Sequence, residues 1–519
     1  MTAPPIRRAL LAAVWLSATG YLSFLLNFGL NLLLARVLFP KDFGQFALAG
    51  SLVEILSLAT GFSFSQAVIQ MQDAPGIVET AYVLSLRLYW ALIVGGALLV
   101  AALRWHFPGV FLPLFFALFA VRNLSVISYV YSATLERTFQ YNQISRVRLA
   151  SAIVSIVVAL VLARLGAGVW SLLGRELALS LITLAGVRIA SGWRYRGGYN
   201  VETARAVWRF GWQMFVTRAL ETIWYRGDTA LLGILAGTLT LGYYDRGRFL
   251  AEFGHYVVSF AAVQVAFPVY ASLAGRREAL TYAYRLSHGL LVRLMLPALI
   301  WLALFPRELV GLLYGAGVRW TETAAILPWL AAFGFVFPIA ENIKVLLTGI
   351  GRLRDAMWMR FVQAAVALPL LVPAIKIAGP YGAGTVMFVS EVAGLFVGYR
   401  ALRREVTNLY LDGYWRPAVA ALVAGGSVAV LRAFHLLPWV GRAGYAANLA
   451  AAGGIYLVCL FLIDRSQLQE HLWALLAGLR GERPAAFAAV PNGVVSAPAA
   501  GPIADGQGKP VLTIGDDAP

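Results

Sequence analysis

The sequence predicts an all-α integral membrane protein of about 14 transmembrane helices, built as two pseudo-symmetric six-helix lobes with two C-terminal helices appended. Three observations lead there. Apolar stretches recur from residue 9 to residue 463. The composition leaves little polar surface to cover a soluble domain. The second half of the chain also repeats chemistry-bearing residues of the first in one register.

The stretches lie near 9–35, 44–70, 81–103, 110–134, 147–164, 168–190, 209–236, 249–272, 286–305, 323–348, 356–376, 381–400, 415–434 and 443–463. Each reaches or approaches the roughly 20 residues a helix needs to cross about 30 Å of hydrocarbon. Of 519 residues, 60% are hydrophobic and 13% charged, and the mean hydropathy is +0.73. Few soluble domains combine such values. The net charge of +17 does not mark a nucleic-acid binder, because the basic residues sit in small groups between apolar spans and not on one soluble face.

The first span exceeds a signal-peptide core in length and has no small-x-small cleavage site before Arg36, so it is read as a retained helix. Placing Met1 on the cytoplasmic side gathers roughly twice as many Lys and Arg on that face as on the other, the direction the positive-inside rule requires. An even span count then puts both termini in the cytoplasm, in a multi-pass membrane protein. Residues 1–190 form the N-terminal lobe and 191–208 a basic, aromatic, amphipathic cytoplasmic linker. Residues 209–405 form the C-terminal lobe, 406–463 the last two spans, and 464–519 a largely disordered tail. The single cysteine, Cys459, excludes an intramolecular disulfide.

The repeat aligns 15–70 with 213–268. Its identities include Gly29/Gly227, Leu34/Leu232, Gly44/Gly242, Glu54/Glu252, Phe62/Phe260 and Gln66/Gln264. Leucine matches between membrane helices carry little weight, but a glycine turn, an intramembrane glutamate and a glutamine in one register carry more. Copies in the same orientation describe a transporter of two parallel halves.

The run Leu33-Leu34-Ala35-Arg36-Val37-Leu38-Phe39-Pro40-Lys41-Asp42-Phe43-Gly44-Gln45-Phe46, followed by Gln66-Ala67-Val68-Ile69-Gln70, resembles the first helices of polysaccharide and O-antigen flippases. Leu241-Gly242-Tyr243-Tyr244, Pro268-Val269-Tyr270 and Gly349-Ile350-Gly351-Arg352 follow in the order of that family. The family belongs to the MATE-like multidrug/oligosaccharidyl-lipid/polysaccharide exporter superfamily. Thr60 departs from its pattern, since relatives often carry an acid there. The resemblance implies a protein of the bacterial inner membrane with a lipid-linked oligosaccharide as substrate, on a polyprenyl-pyrophosphate carrier, and an exporter without a cofactor.

A charge inside a membrane helix costs at least about 2.5 kcal/mol and calls for a reason. In the seventh span Arg218, Glu221, Tyr225 and Asp228 share one stripe, with Arg226 at its edge. In the eighth, Arg248, Glu252, His255 and Ser259 share a face. Asn27 and Asn31 do so in the first span, and Ser51, Glu54, Gly61 and Ser65 in the second. These faces predict a cationic cavity between the lobes. Arg218, Arg226 and Arg248, with Asn27, Asn31 and Tyr225, are the expected substrate-binding residues, because guanidinium groups stay charged and pair with phosphate oxygens. Glu54, Glu221, Asp228 and Glu252 are expected to hold a coupling Na⁺ or H⁺, or to pair with the arginines and tie helices together. Arg122, Arg175, Glu176, Arg293 and Glu391 line the lobes or bridge helices. Lys344, Glu341 and Arg87 are expected to snorkel to the interface, and Trp193, Trp320 and Trp415 to anchor there.

The histidines lack metal-ligand spacing, no G-x-x-x-x-G-K-[ST] loop points to ATP, and no nucleophile–base constellation points to an enzyme. An ion-coupled drug exporter and a membrane-embedded polysaccharide polymerase or ligase remain the alternatives. The arginines count against the first and the short external loops against the second.

Overall fold

The computed structural model describes residues 5–58, 64–71, 74–103, 109–138, 140–253, 266–315, 317–407, 412–434 and 441–479. Every regular element among them is a helix. The order is α1 (Pro5–Val37), α2 (Pro40–Leu56), α3 (Phe64–Gln70), α4 (Ile77–Leu103), α5 (Phe111–Asn123), α6 (Ser125–Arg137), α7 (Tyr141–Arg164) and α8 (Val169–Ser191). Then come α9 (Val201–Ala251), α10 (Phe267–Ser272), α11 (Arg277–Leu304), α12 (Pro306–Tyr314), α13 (Thr321–Gly349), α14 (Leu353–Leu402), α15 (Asp412–Ala433) and α16 (Gly441–Leu479). Among the described residues, 9 stretches are long and apolar enough to cross a bilayer. The chain is a multi-pass membrane protein.

Two of the long helices are hairpins. In a straight helix Asp228 and Arg248 would stand about 30 Å apart, yet they form an ion pair. The reversal falls at Gly237, whose φ of 85° suits a residue without a Cβ. In α14 the turn is at Gly379, and Gln363 Nε2 donates to Glu391 Oε2 across it at 2.7 Å. The α9 hairpin carries the seventh span and leads into the eighth, and the α14 hairpin carries the eleventh and twelfth.

The two halves of the chain cross where α2 meets the second arm of α9. A Cβ on Gly44 would fall on the carbonyl of Thr238, and one on Gly242 on the carbonyl of Pro40. Gly44 and Gly242 are partners in the repeat, and so are Pro40 and Thr238, so the contact is reciprocal, as at a two-fold axis. Without a hydrophobic force between helices in lipid, such close backbone approach supplies the packing energy.

The same end of the bundle is closed by backbone carbonyls capped from afar. Arg36 Nη2 donates to Leu312 O at 2.9 Å and Arg319 Nη1 to Arg36 O at 3.2 Å. Trp320 Nε1 donates to Ala35 O at 2.9 Å. Trp320 is fully buried among Phe43, Tyr243 and Tyr314, so it is a structural plug and not the interfacial anchor expected.

Other expectations shift. The linker is irregular only at 192–200. From Val201 it is helix, because the side chain of Asn200 accepts from Thr203 N at 3.0 Å and caps the seventh span. Trp193 and Tyr195 pack on Tyr82, and Arg87 lies 4.7 Å over the Tyr199 ring, not at a free interface. At the far end, α16 runs through the expected tail boundary. Asp464 is buried there between Arg293, at 2.5 Å, and Arg416, at 3.0 Å, tying the last two spans to α11. Residues 480–519 lie outside the described residues, as do Thr60, Gly61, His255 and Ser259.

Gly242→Val sets a side chain against the Pro40 carbonyl and is expected to cost about 3 kcal/mol, the upper end of the range for overpacking. The midpoint of thermal unfolding in detergent should fall accordingly. Gly29→Val, where a Cβ meets nothing within 4 Å, should leave that midpoint unchanged.

Candidate functional site

Beyond the glycine crossing, α2, the first arm of α9, α13 and α14 enclose a cavity of about 310 Å³. Arg218, Glu221, Tyr225 and Arg226 of α9 face it. Glu54 of α2, Glu341 of α13 and Arg360 of α14 complete its charged wall. The expected stripe on the seventh span is therefore real, except that Asp228 points the other way.

Glu54 is the meeting point of two arginines. Arg226 grips it with Nε on Oε2 and Nη2 on Oε1, the latter at 3.1 Å, while Arg122 Nη1 reaches Oε1 at 2.8 Å. The chain of charges continues through the first half of the molecule. Arg122 lies 3.8 Å from Glu176, Glu176 pairs with Arg175 at 2.9 Å, and Arg175 Nη2 donates to Asn27 Oδ1 at 2.6 Å. Arg226 is thus bound by a residue from the other half of the chain. The Glu54, Arg122 and Arg226 side chains are each a quarter to a third exposed, so the pairing is reachable from the cavities on either side.

A second group forms the opposite wall. Lys344 Nζ sits 3.0 Å from Glu221 and 2.8 Å from Glu341. Arg360 pairs with Glu341 and lies 4.8 Å over the Trp224 ring. The snorkelling expected of Lys344 and Glu341 does not occur, because two carboxylates and a guanidinium make the bundle interior the better solvated place for both. Arg218 is exposed to the cavity and makes no ion pair among the described residues. The wall holds Arg218, Arg226 and Arg360 against Glu54, Glu221 and Glu341. It is charge-balanced, not simply cationic as the sequence implied, since Glu54 and Glu341 come from helices the arginine stripe does not contain.

Arg248 is placed differently from Arg226. It is buried, paired with Asp228 and at 2.6 Å with Glu252, and its Nη2 donates to Tyr225 O at 3.3 Å. Asp228 also accepts from Tyr244 Oη at 2.7 Å, and Glu252 from Tyr225 Oη at 2.8 Å. These bonds lock the two arms of α9 together. Of the two readings open for Arg248, Asp228 and Glu252, the geometry favours the ion pair over substrate or ion binding. Asn31 Oδ1 accepts from Arg246 Nη1 at 2.9 Å, so both first-span asparagines orient arginines from other helices.

A profile of the family described as polysaccharide biosynthesis protein matches residues 33–325. The chain belongs to this family. As a polysaccharide biosynthesis protein it is similar to the succinoglycan biosynthesis transport protein ExoT of Rhizobium meliloti (strain 1021), with 26% identity over 475 residues, 88% of this chain and 93% of that protein. Its fold resembles that of the lipid II flippase MurJ in an inward closed conformation, with a TM-score of 0.72 at 11% identity over 88% of this chain and 100% of that one. An inward-facing multidrug resistance MATE family transporter of the MOP superfamily aligns with a TM-score of 0.59 at 16% identity, covering 76% and 98%. The resemblance read from the motifs is the family found, and the all-α transporter fold is shared with both structures.

Sequence reasoning missed Arg360 and Glu341 as cavity residues, Lys344 as the partner of Glu221 and Glu341, and Asp464 as an anchor. The signal was faint: each lies at a span border, where charges are ordinarily solvated. Arg122 was noted, but its partner was not readable, because the Glu54 contact spans two helices with no fixed register.

Asp228→Ala leaves Arg248 buried with one carboxylate and is expected to cost about 3–5 kcal/mol. It should lower the thermal midpoint of the purified protein sharply. Arg218→Ala, at an exposed cavity position, should not move it.

Proposed function

We propose that this family member is a flippase that carries lipid-linked saccharide precursors of a polysaccharide across the bacterial inner membrane by alternating access. The carrying observation is the intramembrane cavity in which Arg226 of the second half is held by Glu54 of the first, with Arg218 and Arg360 lining the same cavity. Guanidinium groups in a partly desolvated site bind phosphate oxygens in pairs, and a polyprenyl-pyrophosphate glycan presents such oxygens beside its sugars. Membership of the polysaccharide biosynthesis family and the transport role named for the 26% identical relative support the same reading.

In this reading residues 1–190 and 209–405 act as two lobes, with both termini cytoplasmic and the glycine crossing on the outer side. The pyrophosphate replaces Glu54 on Arg226 and Arg122. The freed carboxylate then takes up a proton or Na⁺, so one group both releases the lobes and couples the cycle. Arg218 and Arg360 complete the anion site, while Arg248 with Asp228 and Glu252 holds the α9 hairpin rigid. The protein acts as carrier and not as catalyst.

Deleting the gene should cause a completed lipid-linked glycan to accumulate inside the membrane, read by mass spectrometry of extracted lipids. Unchanged lipid intermediates would refute the flippase reading. In complementation, Arg226→Ala should abolish export at normal protein level, and full activity would remove Arg226 from the site.

A further inference from the structure

A larger cavity, of about 480 Å³, opens among α5–α8 in the first half, within the roughly 300–1,000 Å³ usual for ligand sites. Its wall differs from that of the arginine cavity in its hydroxyls. Ser125, Ser128 and Ser132 of α6, Ser151 of α7, and Ser180 and Thr183 of α8 face it, together with the exposed ring of Tyr129 and the charged Arg122, Arg148, Glu54 and Glu176. The three α6 serines recur at helical spacing on one face.

Most of these hydroxyls have already given their proton away. Ser125 Oγ donates to Arg122 O at 2.7 Å, Ser132 Oγ to Ser128 O at 3.1 Å and Ser151 Oγ to Arg148 O at 3.0 Å. A serine bonded to its own helix turns lone pairs outward. The hydroxyls of the wall therefore offer acceptors, beside one aromatic face and the guanidinium donors of Arg122 and Arg148. A phosphate, which has no donors at neutral pH, gains little from these hydroxyls, and of the two arginines in the wall Arg122 is already held by Glu54 at 2.8 Å. A cation would need free carboxylates, and the two in this wall, Glu54 and Glu176, are held by arginines at 2.8 and 2.9 Å. Small polar residues on membrane helices ordinarily serve close packing, which would leave no such volume. Hydroxyl donors set on an apolar ring, as in a neutral pyranose, match the wall on both counts.

We infer that this cavity is the subsite for the neutral sugar residues adjoining the phosphate. The inference rests on the arginine cavity being the phosphate site. Glu54 lines both cavities, so a sugar pyrophosphate spanning them would lie across the carboxylate that joins Arg122 to Arg226.

The test uses the full-length protein in its host with the chromosomal copy deleted, and the purified protein with farnesyl pyrophosphate, which carries no sugar. Ser132→Phe and Ser180→Phe fill the cavity. Each is expected to lower polysaccharide export at least about tenfold while changing farnesyl pyrophosphate affinity less than about twofold, where tenfold corresponds to about 1.4 kcal/mol. Export at the unsubstituted level, or an equal loss of farnesyl pyrophosphate binding, overturns the subsite. Should the bulky variants not fold, the triple variant Ser132→Ala, Ser180→Ala, Thr183→Val keeps the volume and removes acceptors. It should lower export several-fold at an unchanged thermal midpoint, and unchanged export overturns the inference equally. Arg226→Ala separates the two claims, for it should lose farnesyl pyrophosphate binding. If it does not, the phosphate reading fails whatever the serine variants do.

Discussion

One carboxylate, Glu54, satisfies two arginines that belong to different halves of the chain. Everything else in the charged interior is arranged around that shortage. A guanidinium in a membrane bundle needs a partner, because an unpaired charge there costs several kcal/mol. Among the described residues, Arg226 and Arg122 share one carboxylate, apart from the distant edge of Glu176 at 3.8 Å. An anion entering the cavity relieves the shortage. The proposed cycle follows from this, since a ligand shifts an equilibrium only by its differential affinity for the two states, and a phosphate competes directly for the bond that joins them.

The rest of the molecule makes that bond the soft point. The α9 hairpin is stiffened by the buried Arg248–Asp228–Glu252 group with Tyr225 and Tyr244. The appended helices are fastened by Asp464 to Arg293 and Arg416. Opposite the cavity, the halves touch backbone to backbone at Gly44 and Gly242, under the plug of Trp320 and the carbonyl bonds of Arg36 and Arg319. A reciprocal glycine contact has no side chains to disengage, and in the proposed cycle it is the pivot about which the two lobes rock. The Glu54 bridge, partly exposed and flanked by cavities, is where ligand chemistry reaches the joint.

Much of this was legible in the sequence. Hydropathy alone gives the spans, and the stripe of Arg218, Glu221 and Tyr225 follows from helical periodicity. The family emerged from the run around Arg36–Gly44. Periodicity could not show which helix faces which, so it placed Arg248 in the cavity when Asp228 and Glu252 bury it in the hairpin. It also treated Lys344 and Glu341 as border charges, because a residue one turn inside a span looks the same as one at its edge until the neighbouring helix is known. The Gly44–Gly242 match was visible as a repeat. That the two copies touch each other was not, since a sequence repeat gives correspondence and not position relative to an axis.

The account turns on competition between Glu54 and the substrate phosphate, and the affinity of Glu54→Gln for farnesyl pyrophosphate tests it directly. Removing the carboxylate charge frees Arg226 and Arg122, so the purified variant should bind farnesyl pyrophosphate about tenfold more tightly, a gain of about 1.4 kcal/mol. Affinity that is unchanged or weaker would mean that Glu54 does not compete for the arginines, and would contradict the account at its centre.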